Sequence, residues 1–164
     1  MRKTMMGWVI TLVMTAAVAV PSDVQSQSSP GAQRAAELES EASRLHNQPR
    51  RWAYAADLYL AAVQLREDED PQAQENLVLA ANLGYQTGDV AGTIAALESA
   101  ASRTLASGDV VRAADIFADA AWVAQKAGLR IEQRRLTHRV AELADSSELT
   151  GAERNQILSR FEGH

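Results

Sequence analysis

A small residue, a large apolar residue four positions on, and alanine three further recur in three stretches of this chain. They are Ala55-Tyr59-Ala62, Thr93-Leu97-Ala100 and Ala113-Phe117-Ala120. Steps of four and three residues place all three side chains on one face of a helix. Small side chains let a neighbouring helix backbone come close, and the large residue fills the space beside it. Two of the stretches share an opening, Gly88-Asp89-Val90 and Gly108-Asp109-Val110. Recurrence on this scale predicts stacked helical hairpins. An alanine-rich up-and-down bundle produces similar spacing, so that architecture stays open at this level.

The breakers agree with helix-length pieces. A first helix is predicted over Ala32 to Asn47, with Ala35, Leu38, Ala42 and Leu45 on one face and Pro49 interrupting it. A second spans Arg50 to Arg66, with Trp52, Ala55, Tyr59, Ala62 and Val63 on a stripe. Asp70-Pro71 is a start signal, since Asp caps and Pro fits the first turn. The third helix runs from there to Thr87, where Gly88 can take the left-handed conformation that ends a helix. A fourth begins at Asp89 and ends near Gly108, and a fifth begins at Asp109 and ends near Gly128. The sixth, Arg130 to Ala144, aligns Leu136, Val140 and Leu143. Thr150 with Glu153 forms a capping box for a seventh carrying Ile157, Leu158 and Phe161. No segment alternates with period two, so the fold class is all-α.

The N-terminus reads differently. Arg2 and Lys3 precede Met5 to Val20, a 16-residue run without a charge. That is shorter than the ~20 residues of a permanent membrane span. Ala17-Val18-Ala19 supplies a small-x-small cleavage pattern, with a second at Val24-Gln25-Ser26. We therefore expect a signal peptide at 1–20, cleaved between 19 and 26, a flexible Pro/Ser/Gln linker at 21–31, and a helical domain at 32–162. An uncleaved membrane anchor is the alternative. The expected location is periplasmic or secreted. With no cysteine, the domain relies on its core alone. Without Arg2 and Lys3, 14 basic side chains face 21 acidic ones, a net charge of about −7. That argues against nucleic acid or an anionic membrane surface as the main partner.

From Ala32 to Ala144 the chain resembles tetratricopeptide repeats. Leu77, Ala80, Ala81 and Gly84 occupy first-helix positions of that family's pattern. Gly88-Asp89 matches its inter-helix turn, and Thr93, Leu97 and Ala100 match its second helix. Val110, Ala113, Ala114 and Phe117 repeat the first-helix pattern, and Trp52 takes the place of an aromatic after the turn. The chain departs in its period. Alternate helices start near Arg50, Gly88 and Gly128, which is 38 and 40 residues against the family's ~34. Arg134 and His138 also stand where small and apolar residues belong. The resemblance implies a short right-handed solenoid of about three antiparallel hairpins plus a C-terminal capping helix. It further implies a concave partner-binding surface lined by Val78, Leu79, Asn82, Tyr85 and Gln86 from the third helix, and by Val111, Arg112, Asp115 and Trp122 from the fifth. Exposed Tyr, Trp and Arg beside aliphatics suit a protein-binding hot spot, although the same residues can simply pack between hairpins. Lys126 is the sole lysine after Lys3, so a lysine-rich clamp for peptide carboxylates is missing.

Residues that carry chemistry are sparse. His46, His138 and His164 are not paired at ligand spacing, and no Cys assists. Glu67-Asp68-Glu69-Asp70 offers oxygens to Ca²⁺ but lacks the spacing of a calcium loop, and reads as a solvated turn ahead of a helix N-terminus. Arg130, Arg134 and His138 share a face, with Arg135 and Arg139 adjacent. Such a face either docks an acidic segment or pairs locally, here with Glu132 and Glu142. No nucleophile–base pattern and no phosphate loop occurs. The expectation is a non-enzymatic protein without cofactors or metal that binds a protein or peptide. A self-assembling homo-oligomer is the alternative.

Overall fold

The computed structural model describes residues 29–67, 69–146 and 149–162, with side chains to residue 159. The expected signal peptide, most of the linker, and the side chains of Phe161 and His164 lie outside the described residues. Among the described residues seven α-helices follow one another: α1 (Pro30–Leu45), α2 (Trp52–Val63), α3 (Pro71–Thr87), α4 (Val90–Ala106), α5 (Val110–Lys126), α6 (Arg130–Ala144) and α7 (Gly151–Glu162). A 3₁₀ turn at Pro49–Arg51 leads into α2, and no strand occurs among the described residues. From α1 to α6 each helix packs on the one before it and the one after it, while α7 rests on α5 and α6.

The ends of the first two helices shift from the sequence-based expectation, which ran from Ala32 to Asn47 and from Arg50 to Arg66. The first helix starts at Pro30, inside the predicted linker. Ser29 accepts a hydrogen bond from the Ala32 N–H at 3.2 Å, and Pro30 sits in the first turn, where its missing N–H costs nothing. The second helix ends at Val63, with Leu65 and Arg66 in the turn that follows.

The junctions after α3, α4 and α5 are copies of one another. Gly88, Gly108 and Gly128 have φ of 80°, 87° and 73°, a region that a Cβ disfavours. After each glycine, the next residue's N–H reaches back to a carbonyl of the last turn. These bonds are Asp89 to Gly84 at 2.9 Å, Asp109 to Thr104 at 3.2 Å and Leu129 to Ala124 at 2.9 Å. That closes three carboxy-terminal caps of the same kind, 20 residues apart. Asp89 and Asp109 then cap the following helix by accepting from Gly92 at 2.9 Å and Arg112 at 3.0 Å. Leu129 holds nearly the same backbone angles but has no side-chain cap. Leucine at this position leaves the third junction with its glycine stop but without the aspartate cap of the other two.

All nine residues of the repeated pattern are buried, at 6% exposure or less. The structure extends the pattern to two more helices. In α3 the positions are Ala73, Leu77 and Ala80, all buried. In α1 they are Ala35, Glu39 and Ala42, so a carboxylate stands where the other helices place a large apolar group. Glu39 is drawn in by partners. Its Oε1 and Oε2 accept from Arg66 Nε and Nη2 at 2.6 and 2.7 Å, and its Oε1 also accepts from Asn76 Nδ2 at 2.6 Å. Arg66 Nη1 donates to Asp70 at 2.6 Å, and Asp70 caps α3 through the Gln72 N–H at 2.9 Å. The Glu67–Asp70 run is therefore more than a solvated turn, because its last carboxylate belongs to a network joining α1 to α3. No buried side-chain N or O among the described residues lacks a hydrogen bond.

The apolar interior divides accordingly. A larger cluster runs from Val63 through α3, α4, α5 and α6 to Ile157 of α7, and a smaller one joins α1, α2 and the opposite face of α3. Thr150 and Glu153 form the expected capping box on α7, with 2.7 and 3.3 Å bonds to each other's backbone and side chain. Arg154 Nε donates to the Ala144 carbonyl at 2.8 Å and ties α7 to the end of α6.

Candidate functional site

The site is built on α3 and α5. Both helices bury an alanine-rich face, which leaves the positions between the buried columns to face outward. On α3 these are Asn82, Tyr85 and Gln86, and on α5 they include Asp119 and Trp122. Spacings of three and four residues keep each set on one side of its helix. The two sides meet across α4, which supplies the floor.

The result is a cleft of about 260 Å³ lined by Val78, Asn82, Tyr85, Gln86, Asp119 and Trp122 over Ala81, Thr93, Leu97 and Val123. The Tyr85 and Trp122 rings stand 5.6 Å apart at 46°, within the range of favourable aromatic pairs. Lys126, one turn beyond Trp122, places its Nζ 5.5 Å from the Trp122 ring centroid, a cation–π contact. Apolar floor, aromatic walls and three planar polar side chains at the rim suit an amphipathic ligand.

Of the nine residues singled out from the sequence, the cleft brings together Val78, Asn82, Tyr85, Gln86 and Trp122. Leu79 is not among them, because it packs on the smaller cluster on the α1–α2 side of α3. Val111 packs on the larger cluster and is partly buried. Arg112 lies in a second cleft between the same two helices, with Asp70, Pro71, Gln72 and Glu75. Asp115 is partly buried on α5, one turn before Asp119. Sequence reasoning missed Asp119 and Lys126. Asp119 lies four residues after Asp115 and three before Trp122, so the helical spacing that named those two also reaches it.

On the basic side of α6, Arg135, His138 and Arg139 lie beside nearby carboxylates. Arg135 binds Glu132 at 2.6 Å and holds Glu98 of α4 with two bonds of 2.6 and 2.8 Å. These two carboxylates raise the Arg135 pKa further above its ordinary value. Arg139 reaches Glu142 at 3.1 Å, and His138 Nδ1 lies 3.2 Å from the same side chain.

Comparison with protein-family models, with curated proteins and with solved structures finds no match. The functional reading therefore rests on the geometry of this chain.

Proposed function

We propose that the protein is an exported, non-enzymatic interaction module, a short tetratricopeptide-like solenoid that holds a protein or peptide partner. The cleft between α3 and α5 is its docking face. The observation that carries this reading is the Tyr85–Trp122 pair, with Tyr85 39% exposed. Large aromatic groups at a rim, over an apolar floor, are what interfaces use as anchors. Helix starts 38 and 40 residues apart and the copied junctions support the repeat reading. The apolar run near the N-terminus supports export to the periplasm or beyond, with the anchored form as the alternative.

The test is a crosslinking pull-down from cell-envelope extract with the protein and its Tyr85→Ala and Trp122→Ala variants. Folded variants should lose the captured band. Capture that survives both substitutions contradicts the docking face. One observation favours a second reading, self-assembly: Ile131 is 83% exposed and Leu129 41% exposed at the start of α6. Light scattering after size exclusion separates the two, since a monomer at high concentration removes self-assembly.

A further inference from the structure

We propose that a second copy of this chain docks head to tail, with the exposed start of α6 in one molecule entering the cleft beside the α2–α3 turn of the next. The inference rests on the self-assembly reading above. Ile131 is the projecting group, 83% exposed, while Leu136, Val140 and Leu143 of the same helix are buried. Leu129 widens the apolar tip, Arg130 sits between the two, and Arg134 follows one turn on. Arg135 and Arg139 hold carboxylates, but the Arg130 and Arg134 side chains have no hydrogen-bond or ionic partner among the described residues. Glu132, the carboxylate nearest in sequence, is taken by Arg135 at 2.6 Å. Such a tip is best covered by a surface that offers an apolar floor together with carboxylates.

The same chain carries that surface. A cleft of about 300 Å³ is lined by Ala32 and Leu65 with Arg66, Glu67, Glu69 and Asp70. Leu65 is 40% exposed. Arg66 and Asp70 bind each other, whereas the Glu67 and Glu69 carboxylates have no partner among the described residues. Two charged neighbours offset each other: Arg103, which donates to the Glu67 carbonyl at 3.4 Å, and Glu39, which binds Arg66. The cleft thus keeps three carboxylates against one guanidinium. The spacings agree, since Arg130 and Arg134 are ~6 Å apart on their helix and Glu67 and Glu69 at most ~7 Å along the chain. The contact cannot close within one molecule. Arg103 places the α2–α3 turn beside the end of α4, and α5 then runs 17 residues, ~25 Å, before α6 begins. Two different patches make a heterologous contact, which continues into a ring or a chain of copies instead of stopping at a pair. None of these residues lines the Tyr85–Trp122 cleft, so assembly does not use the docking face.

The experiment is analytical ultracentrifugation of the purified protein over a wide range of concentration. The weight-average mass should rise with concentration past that of a dimer. Ile131→Ser, at a position too exposed to support the fold, should weaken association about tenfold, the scale of burying one aliphatic side chain. Two charge-reversed proteins are then compared, Arg130→Glu with Arg134→Glu and Glu67→Arg with Glu69→Arg, each shown to be folded by far-UV circular dichroism. Each alone should stay monomeric where the native protein assembles, because like charges face each other. Mixing the two should restore assembly, since each projection then meets a cleft of opposite charge, and added salt should weaken it. Assembly of either reversed protein alone, a mixture that stays monomeric, or no effect of Ile131→Ser overturns the head-to-tail contact and leaves self-assembly to another face. A native protein that stays monomeric at every concentration overturns both.

Discussion

The approach of α3 to α4 rests on Gly84, and a double-mutant cycle measures how closely. A Cβ built on Gly84 would lie 2.9 Å from Thr93 Oγ1, where ordinary contact begins at 3.4 Å. The hydroxyl has little freedom to withdraw. It lies 2.6 Å from the Asp89 carbonyl oxygen and 3.3 Å from that of Ala81, and Thr93 is 2% exposed. The nearest other atoms are at 3.6 and 3.7 Å and tolerate a methyl group. Two effects then oppose each other. Gly→Ala inside a helix gains ~0.8–1.0 kcal/mol of propensity, and forcing a methyl into a packed contact costs about 1–3 kcal/mol. In the native background Gly84→Ala should destabilise by about 1 kcal/mol. With Thr93→Ala the obstruction is gone, and the same change should stabilise by about 1 kcal/mol. The coupling of about 2 kcal/mol lies within the range for residues in contact. Urea denaturation of the four proteins, followed by far-UV circular dichroism, gives all four stabilities. A Gly84→Ala effect of one sign and size in both backgrounds would refute the close approach.

Three further outcomes follow from the same contacts. Leu129→Asp should stabilise the protein by about 0.5–1 kcal/mol, because it installs the cap that Asp89 and Asp109 provide at equivalent junctions; thermal denaturation checks it, and a lower midpoint counts against the junctions being copies. Glu39→Gln should cost about 2–4 kcal/mol by urea denaturation, since Arg66 and Glu39, 13% and 17% exposed, lose a two-bond ion pair while Asp70 still holds Arg66; a cost under about 0.5 kcal/mol would remove the network from the account. Burial pushes the Asp70 carboxyl upward, but hydrogen bonds from Arg66 and the Gln72 N–H, with the Arg66 charge, leave it below its ordinary value. Its stabilisation is therefore complete above the unfolded value of ~3.9 and is lost as pH falls through the lower folded value. Asp70→Asn, which keeps a capping side chain, should be less stable than the native protein at neutral pH and converge with it in acid; a gap that persists or widens in acid contradicts the ion pair.

Much of the fold was legible because helical burial repeats locally. Seven helices, the glycine stops and the nine pattern residues follow from spacing and capping chemistry alone. What escaped were features whose signal lies in distant partners. Glu39 looks like a solvated glutamate, and only Arg66 and Asn76, 27 and 37 residues away, explain its place in a column of apolar groups. Thr104 and Gln74 likewise bond to each other in the interior across 30 residues. At the site, helical spacing indicated which residues face outward but not which neighbour they meet. Leu79 and Val78 are adjacent in sequence and pack toward different clusters. Asp119 was within reach of the same spacing, and Lys126 gained its place only from the ring it covers.

The central claim is that partners dock in the α3–α5 cleft, and site-specific photocrosslinking tests it most directly. A photoreactive residue at Gln86 lies on the rim of the cleft, whereas Ser99 is exposed on α4 two residues beyond the floor residue Leu97, so it faces the other way. In cells making the protein, position 86 should give a discrete adduct that disappears when Trp122→Ala is added, and position 99 should give none. An adduct from position 99 and not from 86, or one from 86 that is indifferent to Trp122, would contradict the account.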